Sequence, residues 1–354
     1  MSEIDVSAID GSDIDVSAID GSEIDAVLLV GFGGPEGPDD VVPFLERVTA
    51  GRKIPPERLA EVGAHYQHFG GVSPINEQCR AIRRALQSEL DSAGHALPVY
   101  WGNRNWHPLL AETIAQMADD GVGHAVALVT SAYSSYSGCR QYLEDLDRAR
   151  TAAGADAVRI DKIRPYFDHP GFVAPFIAST REALDRLAST DPAPLVFTAH
   201  SIPAAMAERC DYETQLRATM DLVAEAASPQ SIRHLVWQSR SGPPSVPWLE
   251  PDINDHLRWF GAQGFREAVL VPIGFVSDHV EVVWDLDHEA AATAAALGIR
   301  IERATTPGTA PDPDFIAMAR ELIEERLGIS RRRALSALPA RPYDCAPGCC
   351  TFKG

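Results

Sequence analysis

The chain has no basic excess. Its 354 residues carry 31 lysines and arginines against 50 aspartates and glutamates, a formal net charge of −19. That balance excludes a nucleic-acid partner, because phosphate binding wants a basic face. No apolar run approaches the roughly eighteen residues of a membrane span. The amino terminus is acidic and has no apolar segment of a secretory leader, so a cytoplasmic location is expected. A peripheral membrane contact stays open. Neither G-x-G-x-x-G nor Gly-Lys-Ser/Thr occurs, which removes the two common phosphate cradles. Cysteine is sparse, with six residues in all, and in a cytosolic chain of this size they are expected to be reduced.

The charge that is present is uneven. Residues 1–25 hold eight acids and no base, so they supply −8 of the −19. A decapeptide is written there nearly three times: Ser2 to Gly11, Ser12 to Gly21, then Ser22 to Asp25. A solenoid needs longer or more numerous repeats. Low complexity with high charge reads as a disordered, solvated tail over 1–25, with an interaction arm or a calcium-binding strip as the alternative. The remainder is long enough for two domains. Strand-like runs alternate with helical patterns, which predicts an α/β fold with parallel sheets. Expected strands include Ala26–Val30, Ala125–Thr130, Leu195–Ala199 and Ala268–Ile273. Expected helices include Ile75–Ser92, Cys139–Ala152, Tyr212–Ala227 and Val280–Leu297. Gly121 to Val129 and Gly264 to Val271 echo each other, as two similar doubly wound domains would. The expected units are 26–175, 176–310, a terminal helix over 311–330 and a cysteine-containing tail over 331–354.

Two strand ends carry the densest chemistry. Leu195–Ala199 runs into His200, and Ala268–Ile273 leads to Ser277-Asp-His-Val-Glu281. Ligands of open parallel sheets bind beyond the carboxyl ends of strands. An imidazole facing a carboxylate there suits a divalent metal, proton removal, or both. Asp278, Glu281, Asp285 and His288 recur at intervals of three, four and three, which puts them on one face of a regular helix. That face is either a solvated stripe or a path for a hydrated cation. The Gly-rich Gly31 to Pro38 is a turn, or lets Phe32 approach a flat ligand. Ser73 caps a helix or holds a carboxylate at its mouth. Arg52, Lys53 and Arg104 are solvated bases or partners for ligand carboxylates. Tyr142 closes a hydroxyl-rich loop, a class of segment that lines sites more often than cores. In the tail, Cys345, Cys349 and Cys350 are crowded into an irregular segment. Three such thiolates with a fourth fit a tetrahedral zinc or an iron–sulfur cluster. Cys139, Cys79 and Cys210 are the available fourth ligands. Cys139 is preferred because it opens a helix in a loop-rich region, whereas Cys79 reads as a core residue.

With these residues the chain resembles ferrochelatases, over roughly Asp25 to Gly354. The motifs are Leu28-Leu-Val-Gly-Phe-Gly-Gly-Pro35, Gly70-Gly-Val-Ser-Pro74, Phe197-Thr-Ala-His-Ser-Ile-Pro203, Trp237-Gln-Ser-Arg-Ser-Gly-Pro-Pro244 and the segment Ser277 to Asp287. The cysteine tail is similar to that of the actinobacterial branch, which carries a [2Fe–2S] cluster and is associated with coproporphyrin III rather than protoporphyrin IX. The resemblance implies two Rossmann-like domains with a porphyrin cleft between them, and a terminal helix packed back on the first. It implies Fe²⁺ and coproporphyrin III as substrates, with contacts to other haem-pathway enzymes left open. His200 and Glu281 match the paired iron-site residues, and Asp278, His279 and Asp285 an acidic relay. Ser73 matches a substrate-propionate contact, Tyr142 matches another with one gap placed in its loop, and Arg52 and Arg104 match basic positions near the cleft mouth. Phe32 stands where some relatives place a tyrosine; it cannot ligate and is expected to pack on the ring face. The cluster ligands implied are Cys139, Cys345, Cys349 and Cys350. Rival readings are protoporphyrin IX as substrate, a cobalt or nickel chelatase, and a porphyrin carrier without catalysis.

Overall fold

The structure, a computed structural model, describes residues 24–51, 54–155, 158–243, 245–339, 343 and 348–351. Two four-stranded sheets are wound alike. β1 (Ala26–Gly31), β2 (Val99–Asn103), β3 (His124–Val129) and β4 (Arg159–Lys162) lie in the order β2-β1-β3-β4. β5 (Leu195–His200), β6 (Arg233–Gln238), β7 (Glu267–Val271) and β8 (Arg300–Arg303) repeat it as β6-β5-β7-β8. Every pairing is parallel, with Val27 opposite Val99 and Val126, and Leu195 opposite Arg233 and Val269. The central strands β1 and β3 are buried along their whole length, and β5 up to Ala199. That is why they read as continuous apolar runs rather than alternating ones, as strands covered on both faces do. In each sheet the winding reverses between the two central strands, and their carboxyl ends open the crevice.

One hydrophobic core joins the sheets. It takes Val27 and Leu29 from β1, Leu195 and Phe197 from β5, and Leu86, Phe176 and Leu322 from helices between them. The last helix, Pro313–Arg326, packs on the helices Ile75–Ser92 and Pro170–Leu187. Gly171 allows that approach, since a β-carbon there would lie 2.4 Å from the Asp314 carbonyl oxygen. The chain beyond the last helix is tied down as well. Arg164, almost wholly buried, donates two hydrogen bonds to Glu325 at 2.8 and 2.9 Å and a third to the Arg333 carbonyl. Tyr343 donates to the same carboxylate at 2.5 Å. Breaking a buried pair from one side leaves an uncompensated charge, at a cost of about 3–5 kcal/mol. Glu325→Ala is therefore expected to lower the urea midpoint by that amount of stability; an unchanged midpoint would contradict this role for the pair.

The molecule departs from the sequence expectations in three places. Ile24 and Asp25, expected in the solvated tail, belong to the fold. Ile24 is buried, and Asp25 accepts from the Gly123 and His124 amides at 3.0 and 3.2 Å. The repeats before them lie outside the described residues. Helices Val41–Val48 and Pro56–His68 were not expected. Their Val41, Phe44, Leu45 and Tyr66 cluster with Trp106 and, from the other half of the chain, with Val280. The expected helix Val280–Leu297 is helical throughout but not uniform. Val280–Val282 passes into a π-helical stretch, Val283–Ala290, before α geometry returns at Ala291–Leu297. Such wide turns are rare and gather at functional sites.

Candidate active site

β5 delivers His200 to the carboxyl edge of its sheet, where Tyr212 donates to its carbonyl at 3.1 Å. The imidazole Nδ1 lies 2.5 Å from the Ser201 carbonyl oxygen. A carbonyl can only accept, so Nδ1 carries the proton and the neutral ring keeps its lone pair on Nε2. Nε2 faces Glu281 Oε2 at 3.7 Å. Burial lowers the His200 pKa, opposed by the bond to Ser201 and the charge of Asp285. The ring is thus neutral near pH 7 and able to ligate or to accept a proton.

The carboxylates opposite it are shifted the other way. Burial raises Glu281 to about 7, with Arg58 opposing. Asp285 also rises to about 7, because burial and the charges of Glu281 and Glu289 outweigh the bond from Ser239 and the pull of His200. Two carboxyls poised near neutrality beside a neutral imidazole can exchange protons with a bound ligand at physiological pH. His279 lies next to this set. Burial and the neighbouring His200 depress it to about 4.

Of the expected row of Asp278, Glu281, Asp285 and His288, Asp278 stands apart. Asp278 precedes the helix and is buried against Arg303, at 3.1 and 3.0 Å, with Thr306 at 3.3 Å on the same carboxylate. Its charge is spent on a structural pair that also takes in Asp287. The wide turns instead bring Glu289 close enough for its charge to raise Asp285. Glu289, which the sequence reading missed, accepts from Trp284 Nε1 at 2.9 Å. Its only signal in the sequence is the repeated spacing of four from Glu281 to Asp285 to Glu289, which becomes a row when the helix is widened. His288 stacks on Trp284 at 4.3 Å, and His65 stacks on the same indole at 3.9 Å. The helix Pro56–His68 thus reaches across from the first half to the rim of the site.

The first half supplies the rest. Phe32 is one-third exposed and edges onto Phe44 at 6.4 Å. Its loop is held by Asn76, whose amide donates to the Gly34 carbonyl at 3.0 Å. Gly33 has φ +83, and a β-carbon there would meet Asn103 and the Trp106 amide at 2.9 Å, so only glycine fits. Ser73 is buried against Gly34 and does not cap the following helix, which begins after Pro74 without a side-chain cap. Arg104 is not free for a ligand. It pairs with Asp145 and lies 4.3 Å above the Tyr142 ring and 5.8 Å from that of Phe32. Tyr142 is buried beneath it. Arg52, Lys53 and Cys345 lie outside the described residues.

Four of the remaining thiols influence one another: Cys139, Cys210, Cys349 and Cys350. Cys139 is buried in a π-helical turn, Tyr136–Arg140. Cys210 follows a short helix whose Met206 sulfur lies 3.9 Å from Ser137 of that turn. Cys349 and Cys350 face each other with sulfurs 3.7 Å apart. Burial, then Cys349, Cys139 and Cys210, raise the Cys350 thiol. Cys79 is a core residue, as expected. Among the described residues no three or more His, Cys, Asp and Glu side chains stand ready to hold a metal ion. Nor is any helix among them long and apolar enough to cross a membrane.

An imidazole and two carboxylates at the carboxyl edge of a parallel sheet are side chains of the types that can ligate a divalent cation or exchange protons with a ligand. A family model described as ferrochelatase matches residues 24–327. The chain belongs to the ferrochelatase family. It is 52% identical over 340 residues to a coproporphyrin III ferrochelatase of Nocardia farcinica, covering 92% of this chain and 96% of that one. It is 55% identical over 339 residues to one of Mycobacterium marinum, covering 91% and 96%. A ferrochelatase of Rhodopirellula baltica is 49% identical over 328 residues, covering 92% and 93%. Among solved structures, SirB from Bacillus subtilis with Fe³⁺ superposes at TM-score 0.52 with 11% identity, over 86% of this chain and 98% of that one. That likeness extends to the fold.

Proposed function

We propose that this chain inserts Fe²⁺ into coproporphyrin III. The observation that carries the reading is His200 Nε2 facing Glu281 at 3.7 Å where the two halves meet, in a chain about half identical to coproporphyrin III ferrochelatases. A free-base porphyrin is planar, and its two inner N–H groups block the metal. Insertion needs a bent ring and the loss of both protons. Walls formed by Phe32 and Trp284 favour the bent ring, so binding is stronger toward the transition state than to the flat ground state. His200 takes a pyrrole proton or ligates the entering ion through Nε2. Glu281 and Asp285 escort the ion and receive the second proton, with His279 beside them. Ser73, Tyr142, Arg52 and Arg104 are assigned to the carboxylate side of the substrate; for Arg104 and Tyr142 this requires the Asp145 pair to open.

Anaerobic insertion assays with coproporphyrin III and protoporphyrin IX side by side test the reading. Faster Fe²⁺ insertion into coproporphyrin III is expected. Preference for protoporphyrin IX, or for Co²⁺ or Ni²⁺ over Fe²⁺, would overturn the assignment, as would tight binding without turnover.

The thiols support a second, separate assignment, a [2Fe–2S] cluster held by Cys139, Cys345, Cys349 and Cys350. Two thiolates on one tetrahedral metal with bonds of about 2.3 Å stand about 3.8 Å apart, and Cys349 and Cys350 stand at 3.7 Å. Bound there, the cluster supplies a one-electron redox centre and a link between the tail and the body of the fold. Cys349→Ser is expected to abolish the visible cluster absorbance; an undiminished spectrum would remove Cys349 from the ligand set.

A further inference from the structure

Asp285 is held by a residue in a conformation that serine rarely adopts. β5 and β6 end side by side, with His200 opposite Gln238. At the next residue, Ser239, the backbone turns left-handed, with φ +59. Glycine enters that region without steric cost and other residues do not. A strained position that keeps a side chain points to work for that side chain. Ser239 Oγ donates to Asp285 Oδ2, and the fully buried Gln238 donates to the same oxygen through Nε2 at 3.3 Å. Both donors use Oδ2, and neither engages Oδ1.

We propose that Ser239 is a positioning residue for metal entry: its left-handed turn aims the hydroxyl at Asp285 and fixes that carboxylate beside His200 and Glu281 with one oxygen free for the ion. The assignment rests on the iron-inserting role proposed for the site. Gln238 alone leaves the carboxylate free to pivot about one longer bond. With Ser239 it is held by two donors from consecutive residues, so the free oxygen keeps one direction.

Ser239→Gly tests this with little backbone disturbance, since glycine accepts the turn and removes only the hydroxyl. Ser239→Asn, tolerated in the left-handed region, returns a donor. On the full chain, Ser239→Gly is expected to raise KM for Fe²⁺ about tenfold, leave KM for coproporphyrin III and the melting temperature unchanged, and recover in part with Ser239→Asn. Mn²⁺ affinity, followed by its electron paramagnetic resonance, gives a readout that needs no turnover, and thiolates bind this hard ion poorly. Ser239→Gly should weaken it in the wild-type background and add nothing in Asp285→Asn. An unchanged KM for Fe²⁺, equal losses for both substrates with a lower melting temperature, or additive Mn²⁺ losses in the double variant would each overturn the proposal. A wild-type chain that inserts no iron would refute the proposed function, while the Mn²⁺ cycle would still decide whether Ser239 acts through Asp285.

Discussion

Replacing His200 with alanine is expected to cut Fe²⁺ insertion by about 10²–10⁴-fold, the usual worth of a positioned base. Coproporphyrin III binding, followed by fluorescence quenching, should hardly change. The separation comes from where the ring sits. Nδ1 is committed to the Ser201 carbonyl and only Nε2 meets the site. Alanine removes the acceptor for a pyrrole proton and a ligand for the ion, but little surface that a flat ring would touch. A uniform loss of binding and turnover would mean a structural role for the ring instead. Near-normal insertion by His200→Ala would end the role assignment.

Glu281→Gln should have the second largest effect, about 10²-fold on kcat/KM for Fe²⁺, together with a shift in the pH profile. The direction can be worked out. Burial holds both Glu281 and Asp285 near 7, and the charge of Glu281 raises Asp285 further. Two such groups titrate as a coupled pair, so the wild-type profile should rise through apparent values around neutrality as the carboxylates ionise. Glutamine deletes one ionisation and removes a negative neighbour from Asp285. The Asp285 pKa then falls, and the acid limb moves to lower pH. A limb that stays in place, or moves to higher pH, would show that the two carboxylates do not share the site.

How far the sequence could be read depended on how regular each segment is. Ile75–Ser92 and Tyr212–Ala227 have the expected bounds because their apolar positions keep a helical period over many turns. The central strands were legible because burial on both faces leaves unbroken apolar runs. His200 was legible for the same reason, as the first titratable group at the end of such a run. Val41–Val48 was not, being eight residues with Pro43 in its first turn. Pro56–His68 buries only Tyr66, so it carries almost no stripe, and its contacts with Trp284 depend on tertiary packing. The π-helical stretch had the largest effect on the site. A regular period put Asp278 in the acidic row, whereas it lies before the helix and pairs with Arg303, and the widened turns bring in Glu289. Arg104 was read as an open base because nothing in the chain near it shows that Asp145 closes on it.

The most direct test is anomalous diffraction from crystals soaked anaerobically in Fe²⁺. A peak within bonding distance of His200 Nε2 and the Glu281 carboxylate, about 2.0–2.2 Å from each, is the predicted result. Iron that settles instead on Asp278 and Asp287, or leaves the space between that imidazole and that carboxylate empty, would contradict the account.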